Sequence, residues 1–346
     1  MIAHIDMDAF FARCEQIRKP ELKQKPVVIC IYTRNKSSGA VSTSNYKARE
    51  LGINSGMALR EAEEKATDET VFLEADHDYY RRKSEEVFSI LSSFTSKIQQ
   101  TSIDEAYFRL EGDKIQKAKK IKAGIESLGL TASIGIAPNK FLAKLASEED
   151  KPDGLRKVEN DERKKFLDSK EIIDLHGVGS KTEEKLGKAG IKTVKDLRDV
   201  NNSLLAQKVG REKAASLKRK SVGKGSRKLE TDSQKQISKI KTMERNSRSH
   251  RYIMKEIEQL AEKLDDRIKS KKKAFRKITV IGIDTELNQY TRSKTIDTTE
   301  AKDELIGHAN RLVRKFLEQE NVQLRRIGLR VSDLVDRKTQ MTLQKF

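Results

Sequence analysis

Hydrophobic and polar positions follow two different periods along this chain. In the opening IAHIDMDAFF the alternation predicts a strand, with Ile2, His4, Asp6 and Asp8 on one face and Ala3, Ile5 and Met7 on the other. PVVICIY at 26–32 reads as a second strand, and the small, polar NKSSGAVSTSNYKARELGINSG as turn chemistry with a short helix around 45–51. Helical spacing returns at Tyr80, Val87, Ile90, Leu91 and Phe94, and IQQTSIDEAYFRLEG then predicts two strands meeting near Ser102–Glu105. Helix and strand go on alternating through 114–146, so the first 160 residues or so predict an α+β unit.

Residues 161–222 change character. They are helical throughout, with glycine-punctuated turns at LHGVGSKT and KAGIKT, while 223–235 hold no apolar periodicity and read as a basic linker. Beyond it, Ile253, Ile257, Leu260, Leu264 and Ile268 recur at helical spacing, as do Leu305, Ala309, Leu312 and Phe316. Strand-like segments near 236–246, 275–286, 289–297 and 323–334 surround them, giving the order β-α-β-β-α-β. In LRRIGLRVS, Ile327, Leu329 and Val331 point one way, and Arg326, Gly328, Arg330 and Ser332 the other. Arginines on the sheet face away from the helices suit a surface that follows phosphates.

Composition narrows the class. The chain has 346 residues, 36% hydrophobic and 36% charged, with no run long enough for a membrane-spanning helix and no signal-peptide pattern. Cys14 and Cys30 are its only cysteines, too few for a disulfide scaffold or a cysteine-based zinc site, so a reducing, cytoplasmic setting is expected. The net charge of +19 is unevenly spread. Residues 1–206 are nearly balanced, 207–230 carry nine Lys and Arg against two Glu, and 231–340 carry 26 against 17. A basic rear behind a neutral front points to a polyanion, nucleic acid before membrane.

Carboxylates stand out as candidates for chemistry: Asp6 and Asp8 on the opening strand, and the adjacent pair Asp104 and Glu105. Neighbours on a regular strand point to opposite faces, so the pair could share one ligand only at a strand end or bend. Acids flanked by Ile5, Met7, Ile103, Ala106 and Tyr107 would need a compensating cation, and a hard ion such as Mg²⁺ suits oxygen donors.

HIDMDAFFARCEQ, VSTSNYKAR, SIDEAYF, SIGIAPNKFLAKLAS and KPDG occur in that order. Together with the glycine hairpin, they resemble the Y-family, or translesion, DNA polymerases over about residues 1 to 340. The resemblance implies a right hand: palm at 1–12 and 74–165, fingers at 13–73, helical thumb at 166–225, a basic linker at 226–234 and a little finger at 235–339. It implies that Asp6, Asp104 and Glu105, with the Met7 carbonyl, hold two Mg²⁺ ions, with Mn²⁺ able to substitute. Asp8 matches an acid outside that ligand set. The resemblance further gives Tyr46, Arg49 and Lys151 the β and γ phosphates of the incoming nucleotide, with Thr43 a further phosphate contact. Phe11 matches the aromatic gate against a 2′ hydroxyl, while Phe10 reads as core. Small residues around Ser42–Ser44 would roof an open, low-fidelity pocket. Ala9 stands where some relatives carry an aromatic.

LHGVGSKTEEKL resembles a helix-hairpin-helix, in which Gly177 and Gly179 let backbone approach a phosphate. Arg326 and Arg330 are the corresponding expectation in the last unit. In the tail QMTLQKF, Gln340, Leu343 and Phe346 (residues 340–346) resemble a sliding-clamp peptide that lacks its second aromatic. The expected protein is thus a monomeric polymerase acting on primer–template DNA and dNTPs, with no membrane association. Two alternatives stand beside it, a metal-dependent structure-specific nuclease and a DNA-binding protein with a dead site. The nuclease leaves Tyr46, Arg49 and Lys151 without a role, and the intact acids argue against the dead site.

Overall fold

The computed structural model describes residues 1–32, 39–230 and 235–336. The chain divides into two compact units, Met1–Asp232 and Ser233–Phe346. The first opens with β1 (Ile2–Met7), which leads into α1 (Phe10–Arg18). Asp8 therefore lies in the turn and not on the strand, a correction to the extended reading of the first ten residues. The turn is tight because Ala9 takes the left-handed conformation, at φ 45° and ψ 43°.

Next come β2 (Val27–Tyr32), β3 (Gly39–Ser44), α2 (Tyr46–Glu50), α3 (Leu59–Lys65) and β4 (Val71–Glu74). These strands form a small sheet in the order β3-β2-β4. The strand at 39–44 differs from the turn chemistry expected there, because GAVSTS offers no large apolar pattern. It is extended because its backbone pairs with the Val28–Tyr32 edge, a tertiary effect that local propensity does not carry. Asn45 then starts α2, its side chain accepting from the Ala48 N–H at 3.0 Å.

The chain returns through α4 (His77–Phe94), β5 (Ile98–Gln100), β6 (Glu105–Phe108), α5 (Lys114–Ser127), β7 (Ala132–Ala137), α6 (Lys140–Glu149) and β8 (Leu155–Lys157). With β1 they form a five-stranded sheet, β5-β6-β1-β7-β8, in which only β7 and β8 run parallel. Ala3, Ile5 and Met7 pack with Val87, Leu91, Ile121 and Ile125 in one core, as their alternation predicts. On the opposite face α6 lies almost on the strands. A Cβ at Gly135 would come within 2.1 Å of the Ala143 carbonyl oxygen, so only glycine allows that approach.

Helices α7 (Arg163–Asp168), α8 (Ser180–Gly187), α9 (Val194–Asp199), α10 (Asn202–Val209) and α11 (Arg211–Ser221) complete the unit. The expected helix before the glycine hairpin is a single 3-10 turn, Ile172–Asp174.

The second unit runs β9 (Gln236–Ser247), α12 (His250–Ser270), β10 (Lys273–Asp284), β11 (Gln289–Thr299), α13 (Lys302–Gln319), β12 (Leu324–Ser332) and the short β13 (Val335–Asp336). Its main sheet, β11-β10-β12-β9, is antiparallel throughout. Ile253, Ile257, Leu260, Leu264 and Ile268 of α12 are all buried, each contributing about 1.5–3 kcal/mol by leaving water. Ile327, Leu329 and Val331 join that core while Arg326 is exposed, as the alternation of β12 predicts. Among the described residues no helix is long and apolar enough to cross a membrane.

Candidate active site

β1 is the middle strand of its sheet, and this puts its end beside two others. Asp6 pairs in register with Glu105 on β6 and with Ser133 on β7. Asp104 sits in the turn that precedes β6 and accepts the Met7 N–H at its carbonyl, at 2.9 Å. The bend expected for the adjacent acids is therefore real, and it separates their surroundings.

Asp6, Met7 and Asp104 line a cavity of about 260 Å³ together with Ala9, Phe11 and Ser42. Thr43, Tyr46, Arg49 and Lys151 complete its polar wall. Glu105 is absent from that lining, because its carboxylate turns toward α6. There Lys144 Nζ lies 2.5 Å from Oε2, and Thr101 Oγ1 donates to Oε1 at 3.0 Å. Buried His4 points its Nε2 at the same Oε2 from 3.5 Å, the long limit of a hydrogen bond. Neighbouring His4 and Lys144 hold the Glu105 carboxyl well below the usual carboxylate range. Burial pushes Asp104 the other way, reinforced by the charges of Asp6 and Glu105 and opposed by the Ser102 hydroxyl.

Among the described residues no three His, Cys, Asp or Glu side chains converge into a metal cage. The donor set still fits a hard divalent ion. Asp6 and Asp104 offer only oxygen and share one cavity, and the charge of Asp6 adds to the cost of charging Asp104. Bringing Glu105 into the same ligand set requires its carboxylate to leave Lys144.

The cationic wall faces those acids. Lys151 Nζ is 2.7 Å from Asp6 Oδ1. Among the described residues the buried Tyr46 hydroxyl has no partner, and burial pushes its pKa up to about 12, so it remains a donor at any physiological pH. Arg49 lies over the Tyr46 ring at 4.8 Å and spends its Nε on the Ser44 carbonyl. Of the expected roof residues, Ser42 and Thr43 line the cavity. Ser44 is buried and donates to the Ile53 carbonyl at 2.7 Å instead.

Phe10 and Phe11 both line the cavity, Phe10 from the buried core and Phe11 partly exposed. The Phe11 ring stacks on Tyr80 at 4.4 Å and meets His77 edge-on at 5.7 Å. Tyr80 is in turn fixed by donating to Glu15 at 2.9 Å. Neither Tyr80 nor His77 is singled out by the sequence, where an aromatic on an amphipathic helix reads as core.

Both cysteines are buried, their thiols pushed up to about 12 for Cys14 and about 11 for Cys30, so neither acts as a nucleophile. Away from the cavity, Gly177 has φ +91° and Gly179 precedes α8, and a Cβ at Gly179 would meet only open space. On β12 the Arg330 Nε is buried, with no partner among the described residues. Gln340, Leu343 and Phe346 lie outside the described residues.

Two family models match the chain, the impB/mucB/samB family at residues 5–148 and its C-terminal domain at 234–343. DNA polymerase IV of Nitrosopumilus maritimus is 32% identical, over 100% of this chain and 99% of that protein. DNA polymerase IV 1 of Methanosarcina mazei is 36% identical, over 99% and 98%. The chain belongs to the Y-family of DNA polymerases. Solved Y-family polymerases share its fold: a chimera of the Dbh and Dpo4 enzymes superposes with a TM-score of 0.88 at 30% identity, over 97% of this chain and 99% of that one. An insertion ternary complex of the Dbh DNA polymerase gives 0.73 at 30% identity, with the same coverage. The α+β right-hand fold expected from the motifs is that of this Y-family polymerase.

Proposed function

We infer that the chain is a DNA-directed DNA polymerase that extends a primer on a template, including damaged templates, and that the 260 Å³ cavity is its reaction site. One observation carries the assignment of the site. Acidic oxygens of Asp6 and Asp104 face an unpartnered phenol, a guanidinium and an ammonium across a single cavity. A group with several anionic oxygens and associated divalent ions is what such a wall and floor accommodate together. The nuclease alternative has no support in the family and gives that cationic wall no work.

In this reading the palm is 1–12 with 74–165, the fingers 13–73, the thumb 166–225 and the little finger 235–339. Tyr46, Arg49 and Lys151 grip the β and γ phosphates, and Thr43 adds a hydroxyl. Phe11, braced by Tyr80, packs under the sugar and leaves no room for a 2′ oxygen. Y-family polymerases depend on divalent cations, and we assign Mg²⁺ here. Asp6, Asp104 and the Met7 carbonyl would hold it, with Glu105 recruited from Lys144. Bound there, the ions would lower the pKa of the primer 3′ hydroxyl and offset charge on the leaving pyrophosphate.

Gly177, Gly179, Arg326 and Arg330 are assigned to DNA phosphates. Residues 340–346 are assigned to a ring-shaped clamp, with Gln340 at its rim and Leu343 and Phe346 in an apolar pocket. Calorimetry of a 335–346 peptide against the clamp checks this last assignment: no heat at hundreds of micromolar, with clamp stimulation intact in a 1–339 chain, removes it.

Primer extension with Asp6→Ala, Asp104→Ala and Glu105→Ala tests the site. Each variant should lose about a thousandfold or more in rate, because several kcal/mol of charge stabilisation disappears. Affinity for primer–template should stay close to normal. Near-normal turnover in all three variants sinks the assignment, and in Glu105→Ala alone it shows that Glu105 stays with Lys144.

A further inference from the structure

Asp8 is a buried carboxylate that the reaction, as described, does not use. It is 4% exposed, and both its oxygens are engaged. Ser133 Oγ donates to Oδ1 at 2.8 Å, and the Asp153 N–H donates to Oδ2 at 2.9 Å. Ser133 Oγ also accepts the Gly154 N–H at 3.1 Å. Opposite, Lys122 of α5 donates to Asp153 Oδ1 at 2.7 Å, to the Ala132 carbonyl at 3.0 Å and to the Gly154 carbonyl at 3.1 Å. Its ammonium also reaches the Asp153 carbonyl.

These bonds converge on residues 153 and 154, in the loop between α6 and β8. Asp153 has φ +60°, a left-handed backbone that a non-glycine residue keeps only where its surroundings impose it. Lys151 stands two residues before Asp153, and Asp6 two residues before Asp8. One carboxylate thus ties the strand end bearing Asp6 to the loop bearing Lys151, and α5 clamps that loop from its other side.

We propose that Asp8 and Lys122 are positioning residues for Lys151, fixing its ammonium relative to Asp6 so that it meets the phosphates of the incoming nucleotide. The proposal rests on the reading that Lys151 grips the triphosphate. Asp8 as a further metal ligand is disfavoured by the commitment of both its oxygens to Ser133 and Asp153. Lys122 as a solvated charge is disfavoured by its hydrogen bonds to the loop and to the end of β7.

Single-nucleotide incorporation separates positioning from mere stability. In full-length enzyme, Asp8→Ala and Lys122→Met should each raise the KM for dNTP about tenfold while kcat changes less than about threefold. Asp8→Asn keeps an acceptor for one of the two donors, Ser133 or the Asp153 N–H, and should restore KM to within about threefold of wild type. In a Lys151→Ala background the same substitutions should add less than about twofold, because their target is gone. Where Asp8→Ala fails to fold, Lys122→Met at its half-buried site carries the whole cycle. A full tenfold effect persisting in the Lys151→Ala background overturns the positioning role alone. An unchanged KM in Lys151→Ala overturns the phosphate role of Lys151, and the proposal with it.

Discussion

Lys151 Nζ and Asp6 Oδ1 lie 2.7 Å apart, so a side chain assigned to phosphate is paired with one assigned to metal. On those assignments an arriving ion would compete for Asp6, and an arriving triphosphate for Lys151. The two ligands thus relieve each other's competition, an arrangement in which nucleotide and ion enter more readily together.

That competition gives Lys151→Ala effects of opposite sign on the two ligands. Without nucleotide, Mn²⁺ should bind about two- to fivefold more tightly, the equivalent of roughly 0.4–1 kcal/mol for a partly exposed pair. The KM for dNTP should rise in the same variant. Mn²⁺ titration by electron paramagnetic resonance checks the first, and equal or weaker Mn²⁺ binding rules the competition out.

The adjacent acids should respond oppositely to neutralisation. Burial raises Asp104, so its charge opposes folding at neutral pH, and this cost fades as pH falls through the raised value. Asp104→Asn should therefore raise the metal-free Tm by a few degrees near pH 7.5, with the gain shrinking toward acid. Glu105 is lowered by His4 and Lys144, so its charge favours folding above about pH 4.5, and that benefit is lost only in strong acid. Glu105→Gln should accordingly lower Tm at neutral pH. Calorimetric melts from pH 4 to 8 decide it, and shifts of the same sign for both variants would contradict the structure.

Removing the Phe11 ring should admit ribonucleotides. The measured quantity is extension with one rNTP over extension with the matching dNTP, in wild type and Phe11→Ala. Tyr80→Ala should move the ratio in the same direction by a smaller factor, since it removes the ring on which Phe11 stacks. An unchanged ratio in Phe11→Ala means that the ring is packing alone.

DNA affinity should fall steeply with salt and depend little on sequence. A log–log slope steeper than about −4 corresponds to five or more neutralised phosphates. Replacing Arg326 and Arg330 together by alanine should flatten the slope by about two, one for each phosphate assigned to them. An unaltered slope removes both arginines from the DNA contact.

Much of the molecule is legible in the order of its residues. Alternation sets the inward face of β12 and helical spacing the buried stripe of α12, because one-sided burial leaves a period in the sequence. β1 is buried on both faces, and its alternation only divides Ala3, Ile5 and Met7 from Ile2 and His4. The metal, phosphate and gate candidates come from spaced motifs resembling a family, since a hydrophobic pattern says nothing about catalysis. What the sequence does not carry are relationships spanning long separations. Asp8 meets Ser133 and Asp153, Phe11 meets Tyr80, and Glu105 meets Lys144, each pair brought together only once the strands and helices have packed. β3 belongs with them, since its six residues are held extended by pairing with β2 on one edge and with Met57 and Ala58 on the other. Residue types along the chain determined which chemistry this protein has available. Strand register at Asp6 and the turn at Asp104 decided which of those groups share a cavity, because direction and distance exist only after the backbone hydrogen bonds are made.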